Sequence, residues 1–370
     1  MLRRSGSGRL NERRILELLS AQTLLALTAL VSLHNADFAA PVWREFLKAV
    51  QYGVTGALAF VAVRADDSED RENWIRIALL SVVTLVSLVA LLQERIGAPM
   101  GVFIGGHAFS RIGGPLEGPN QLGAFLGIAV PPIFVFALTR RRPQIDLAVV
   151  GLACVTTLLT FSRGGVVSLA IALLLVYLTV RGYQSKRVAY YAFAGVFTVA
   201  FVVACLQFAG IGSPMLGRVA FGAPAGSENF NGGLGTRAQL WHGAYVLWRS
   251  HPWTGIGAGN YELRVAQTGA VGVRTHANSA YFQTLAEEGL VGLLALVILA
   301  ATSLRVFAGQ SSALGIAMLA VVAALWFHQI TDYVTFYPKV GILFWAMLGI
   351  TVGLTQERLS STYVNESATR

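Results

Sequence analysis

Charged residues make up only 13% of this 370-residue chain, against about a quarter in an ordinary soluble domain. That scarcity, with 55% hydrophobic residues and a mean hydropathy of +0.60, excludes a soluble globular protein or a disordered tail. Cysteine is almost absent. Cys154 and Cys205 both lie in apolar runs, so neither a disulfide framework nor a CxxC metal site is available. His34, His107, His242, His251, His276 and His328 show no HxxxH or HExxH spacing, so no zinc site is expected. Internal repeats of the kind that mark many secondary transporters are also missing. A net charge of +9 could suggest nucleic acid, but excess Arg in so apolar a chain marks cytoplasmic loops. What remains is a polytopic helical membrane protein.

A helix needs roughly 20 apolar residues to cross the hydrocarbon core. Ten stretches qualify: about 15–34, 47–64, 74–93, 121–139, 145–162, 164–181, 188–210, 284–305, 311–332 and 338–355. Open sheets cannot satisfy their backbone in lipid, so the expected fold class is all-α. The first run has a basic flank (Arg3, Arg4, Arg9, Arg13, Arg14) and no small-residue cleavage site, and reads as an uncleaved span. With the N-terminus inside, 17 of the 28 Lys and Arg fall on the cytoplasmic side and 11 outside. Arg140–Arg141–Arg142 is the clearest vote for that orientation. The expected organisation is seven spans over 1–210, a large outer loop over 211–283, and three spans with a cytoplasmic tail over 284–370. The outer face then also holds a loop at about 94–120 and a tight turn at Phe161–Gly165.

The long outer segment contains Arg218, Arg237, Arg249, Arg264 and Arg274 against Glu228 and Glu262, and no Lys. Arg presents a planar fork that grips phosphate oxygens bidentately, so this loop suggests an anionic ligand at the bilayer surface. Contact with lipid headgroups is the plainer alternative for any one of them. Arg237 stands apart. GTRAQLWHGAYVLWRSHP reads as a helix with Thr236 as N-cap and Gln239 completing a capping box, ending before Pro252. Leu240, Ala244 and Leu247 with Trp241 and Trp248 make its apolar stripe. Arg237 then sits in the first turn, an unfavourable place for a cation unless an anion joins it there.

TGIGAGN follows, a close-packed glycine turn, after which Asn260 and Tyr261 could contact sugar or simply pack. His276 precedes the next span, and imidazole, with an unperturbed pKa near 6.5, suits a general base; a lone loop histidine is more often inert. Glu287 and Glu288 near the outer end of that span are either functional or hydrated glutamates. In HAFSRIGGPLEGPNQLGAFL, Arg111 and Asn120 lie in an irregular turn dipping toward the fourth span. Arg163, in FSRGG, is expensive at the membrane unless it snorkels or meets an anion. Three arginines from separate segments are thus assigned to one face with His276.

Taken in order, RIGGPLEGPNQLGAFL, TFSRGG, GTRAQLWHGAYVLWRSHPWTGIGAGNYE and THANSAYFQTLAEEGLVG resemble the O-antigen ligase and O-antigen polymerase superfamily of bacterial inner-membrane glycosyltransferases. The resemblance covers roughly residues 95–300. It implies an all-helical fold with a large periplasmic loop after a run of spans and a periplasmic active site, in keeping with the cytoplasmic termini that the charge count and even span number give. The implied substrate is a glycan on undecaprenyl diphosphate, transferred to an acceptor sugar without metal or other cofactor. By the same resemblance Arg237 and Arg111, with Arg163 nearby, match arginines that hold the diphosphate. On the reading of the residues themselves, Asn120, Trp241, Asn260, Tyr261, Arg264, Arg274 and Asn278 are candidate substrate contacts. Registered on Gly289 and Gly292, the ligase histidine column falls on Asn278, followed by Ser279, while His276 occupies the preceding histidine column of an HxHN variant. Asparagine is no proton acceptor, so either His276 serves as the base or base catalysis is weak. Three readings follow: a ligase with lipid A-core as acceptor (preferred), a polymerase extending the glycan on its own carrier, and a transporter. Ionisable residues gathered at the outer face, with no paired broken spans, argue against the last.

Overall fold

The computed structural model describes residues 4–66, 70–96, 100–104, 107–180, 234–269, 275–308, 310 and 312–354. The expected span at 188–210, the loop to 233, Arg274 and the C-terminal tail lie outside the described residues. Helices occupy the other expected spans: α1 (Arg4–Val31), α2 (Ala39–Ala65), α3 (Arg71–Ile96), α4 (Pro119–Thr139), α5 (Gln144–Leu159) and α6 (Arg163–Val180). After the amphipathic α7 (Leu234–Ser250) and the short α8 (Tyr261–Arg264) come α9 (Ala280–Ala308), α10 (Ala313–Thr331) and α11 (Pro338–Leu354). Seven of these helices are long and apolar enough to cross a membrane, and α5 and α11 are shorter apolar helices.

One element departs from the all-helical reading. A two-stranded antiparallel hairpin, β1 (Met100–Ile104) and β2 (His107–Arg111), lies between α3 and α4, with Met100 opposite Arg111. Two alternating apolar runs around a Gly-Gly pair carry a hairpin signal that the Gly and Pro content downstream obscures. The hairpin belongs to the loop region and leaves the membrane-spanning part helical.

Helix α4 is the centre of the bundle. Leu122, Leu126, Ile128 and Ile133 are at most 1% exposed, and α3, α5, α6, α10 and α11 pack around it. Helices α1 and α2 flank α11 and α9, while α10 joins α9 to α6. Large apolar side chains on α1, α2, α3 and α9 point outward, including Leu16, Leu58, Leu85 and Leu294. Such a belt is the surface a bilayer covers.

A buried ion pair pins the end of the bundle away from the loops. Arg76 of α3 donates Nε and Nη2 to the two carboxylate oxygens of Asp146 in α5, at 2.6 and 2.8 Å. Asp146 is fully buried. Breaking such a pair from one side strands a desolvated charge at a cost of about 3–5 kcal/mol. Asp146→Ala is therefore expected to lower the thermal midpoint of the purified protein sharply, and pairing it with Arg76→Leu should recover part of the loss.

Candidate active site

The loops and helix ends at the other end of the bundle converge on one carboxylate. Arg111 closes β2 and reaches sideways, donating Nε to the Thr160 carbonyl (2.9 Å) and Nη2 to Asn120 Oδ1 (3.0 Å). Asn120, in the first turn of α4, donates Nδ2 to Asp332 Oδ2 at 2.5 Å. Asp332 is the residue directly after α10 and is 1% exposed. Its Oδ1 accepts from the Tyr333 N–H (2.7 Å) and lies 3.3 Å from His276 Nε2. A continuous polar chain thus links Arg111, Asn120, Asp332 and His276.

Two further guanidiniums lie within electrostatic reach of this chain. Arg163 opens α6 and feels the charges of Arg237 and Arg111. Arg237 lies in the first turn of α7 and feels the Asp332 carboxylate. Burial lowers the pKa of Arg111; Asp332 opposes that shift and Arg237 adds to it. Burial likewise lowers the pKa of Arg237, again against Asp332. For Asp332 burial alone would raise the pKa, but the His276 hydrogen bond and the charges of His276, His328 and Arg237 outweigh it. Its carboxyl is held below the ordinary value of 3.8 and stays ionised. Three guanidiniums against one carboxylate leave the site positive. A positive, largely buried site attracts anions.

The carboxylate also assigns the His276 proton. An ionised Asp332 can only accept, which places the imidazole proton on Nε2 and leaves the Nδ1 lone pair facing the Thr275 hydroxyl at 3.2 Å. His276 stacks on Phe336 (5.8 Å between ring centres, 25°) and meets the edge of Tyr337, so its plane is fixed by packing as well. His328, one turn before Asp332, is buried with Nδ1 3.5 Å from Ser168 Oγ. A Cβ on Gly164 would overlap the His328 ring, so the residue after Arg163 has no room for a side chain.

The glycine-rich turn has a structural task. Helix α9 is broken at Gly289 (φ 67°, ψ −160°), just after Glu287 and Glu288. The HPWTGIG turn docks backbone to backbone against that break. Ile256 N donates to the Ala286 carbonyl (3.0 Å) and Gly257 N to that of Glu287 (2.9 Å). In return Leu290 N donates to the Pro252 carbonyl (2.9 Å) and Val291 N to that of Trp253 (3.2 Å). A helix interrupted in or near a membrane must have its freed amides satisfied by protein, and this turn supplies the partners. A Cβ on Gly289 would overlap the Trp253 backbone, and one on Gly255 the Glu287 backbone. Gly289→Ala adds a positive-φ penalty and pushes the turn away. It is expected to cost about 3 kcal/mol or more, visible as loss of monodisperse protein on size exclusion.

Several candidates are architectural. Asn260 and Tyr261 are fully buried. Asn260 exchanges hydrogen bonds with the Phe38 backbone (3.1 and 3.0 Å), and Tyr261 donates its hydroxyl to the Leu240 carbonyl (2.7 Å). Neither has a face left for sugar. Arg264 pairs with Asp37 at 3.1 Å, away from the cluster. Glu287 accepts from Tyr261 N (3.0 Å) and Gln283 Nε2 (2.8 Å), and Glu288 from Thr28 Oγ1 (2.5 Å), which ties α9 to the turn and to α1. Trp241, one turn after Arg237, stacks on Phe282 at 5.2 Å, and its buried indole Nε1 has no acceptor among the described residues. Asn278 is half-buried in a left-handed conformation (φ 51°) beside His276. Helix α7 begins at Leu234, so Thr236 lies within it rather than capping it, a shift inside the usual fraying of helix ends.

Asp332 and His328 are the residues that sequence reasoning missed. An acid directly after an apolar span was a usable signal for Asp332.

Residues 147–297 match the family model described as O-antigen ligase (Wzy_C). The matched stretch holds Arg163, Arg237 and His276, whereas Arg111, Asn120, His328 and Asp332 lie on either side of it. No curated protein matches the chain.

Proposed function

We propose, from the match of residues 147–297 to the O-antigen ligase family, that the chain transfers a glycan from undecaprenyl diphosphate to an acceptor sugar at the periplasmic face. Lipid A-core is the preferred acceptor. One observation carries the reading: Arg111, Arg163 and Arg237 come from three separate segments and feel one another's charge, and Arg111 and Arg237 also feel that of Asp332, the partner of His276.

The chemistry follows from charge. The diphosphate gains negative charge as the glycosidic bond breaks. Guanidiniums already in position stabilise that charge more in the transition state than in the ground state. His276 Nδ1, its tautomer set by Asp332, takes the acceptor hydroxyl proton as oxygen attacks the anomeric carbon and the lipid diphosphate leaves. Asn278, in the ligase histidine column, gives the polymerase reading its foothold, since the same arginines would serve chain growth on the carrier.

Purified protein incubated with undecaprenyl-diphosphate glycan and lipid A-core tests this. Glycan on lipid A-core is the expected product. Longer glycan on the carrier alone would instead identify a polymerase, and absence of any glycan product would end the transferase reading.

A further inference from the structure

The end of the bundle opposite the candidate active site carries a second built feature. Helices α1 and α9 run side by side there and leave a groove of about 590 Å³ between them. Its rim holds three guanidiniums: Arg9 and Arg13 at the start of α1 and Arg305 in the last turn of α9. Glu17 accepts from Arg13 Nε (3.1 Å) and from Arg305 Nη2 (3.0 Å), so one carboxylate holds two cations across the groove. Each guanidinium has five N–H donors, so most remain available. Both side chains stay largely in solvent, at 76% and 68% exposed.

Charge gathers at one end of the groove and apolar side chains at the other. Below the arginines come the hydroxyls of Ser20 and Thr302, and below those Leu24 and Ile298 supply an apolar floor, with Leu16 an exposed apolar flank beside Glu17. From Arg9 to Leu24 the α1 face spans about 22 Å at 1.5 Å per residue. That exceeds the roughly 15 Å of half a bilayer core by about the depth of a headgroup layer. Charge, then hydroxyl, then hydrocarbon is the order of a glycerophospholipid read from phosphate to ester to acyl chain. Even with Glu12 and Glu17 both counted, the three arginines leave it net positive. A headgroup with its own ammonium gains less from such a rim than one with net negative charge.

We propose that this groove is a binding site for an anionic glycerophospholipid of the leaflet opposite the active site. The full-length protein in detergent is titrated with dioleoyl-phosphatidylglycerol or dioleoyl-phosphatidylcholine, and bound lipid is counted by native mass spectrometry. Phosphatidylglycerol is expected to be retained and phosphatidylcholine lost. Arg13→Gln with Arg305→Gln should lower phosphatidylglycerol retention about tenfold or more, and Arg9→Gln, which breaks no ion pair among the described residues, about fivefold. Arg249→Gln, on the exposed face of α7, should leave retention unchanged. Equal retention of the two lipids, or wild-type retention in both rim variants, overturns the proposal. So does displacement of the lipid by glycerol phosphate at the same concentration, which would mark a site for small anions alone.

Discussion

Arg237→Ala is expected to lower glycan transfer about 10²–10³-fold while the protein stays folded, the range found when one preorganised charge-stabilising group is removed from an active site. Arg237 sits in the first turn of α7, where free backbone N–H groups already favour negative charge. An arginine there worsens the local electrostatics of the empty protein, and Arg111 and Arg163 add like charge. Removing it should therefore cost little stability. Lysine at the same position restores a point charge without the planar fork, and should recover only part of the rate. Arg264→Ala provides the contrast: that guanidinium is occupied with Asp37, so the rate should stay within about twofold. Initial rates for the three variants, read beside their thermal unfolding curves, decide the matter. Near-normal turnover in Arg237→Ala would remove the phosphate clamp from the mechanism.

How much of this was legible in the sequence depends on how local each signal is. Span positions follow from apolar runs of fixed length, and the helices fall where those runs do. The apolar stripe of α7 was equally readable, since Leu240, Ala244 and Leu247 are buried at their expected spacing. That Arg111, Arg163 and Arg237 share one end follows from counting spans, because each crossing reverses the side. Which polar side chains meet is a different kind of fact. Asn260 and Tyr261 look like sugar ligands in TGIGAGNY, yet both are consumed in holding the turn against the Phe38 backbone and α7. Asp332 shows the opposite error. In HQITDYVTF it resembles any acid at the edge of a span, and its importance arises from Asn120 and His276, which are 212 and 56 positions away. The HPWTGIG and EEGLVG blocks look like separate motifs until the broken backbone of α9 is seen resting on the turn. Their glycines answer one another.

The second large effect is expected at the His276–Asp332 pair. His276→Ala removes the proposed base and should lower kcat about 10²–10⁴-fold, with a smaller change in donor KM, because arginine contacts to the diphosphate remain. Asn278→Ala should alter the rate far less, since an amide cannot take a proton at neutral pH. Asp332→Asn separates two roles of the carboxylate. As a hydrogen-bond partner asparagine can still receive from Asn120, but it no longer fixes the His276 tautomer and it removes the negative charge among Arg111, Arg237, His276 and His328. Because the folded-state pKa of Asp332 lies below its ordinary value of 3.8, its ionisation contributes stability that is complete above that value and is lost only as pH falls through the lower folded one. Wild-type stability should accordingly show no Asp332-dependent change between about pH 5 and 8. Asp332→Asn should lower both kcat and the thermal midpoint throughout that window. If Asp332→Asn lost stability but kept its kcat, the carboxylate would be a neutralising partner for the arginines alone, and His276 would have to be oriented by its stacking on Phe336.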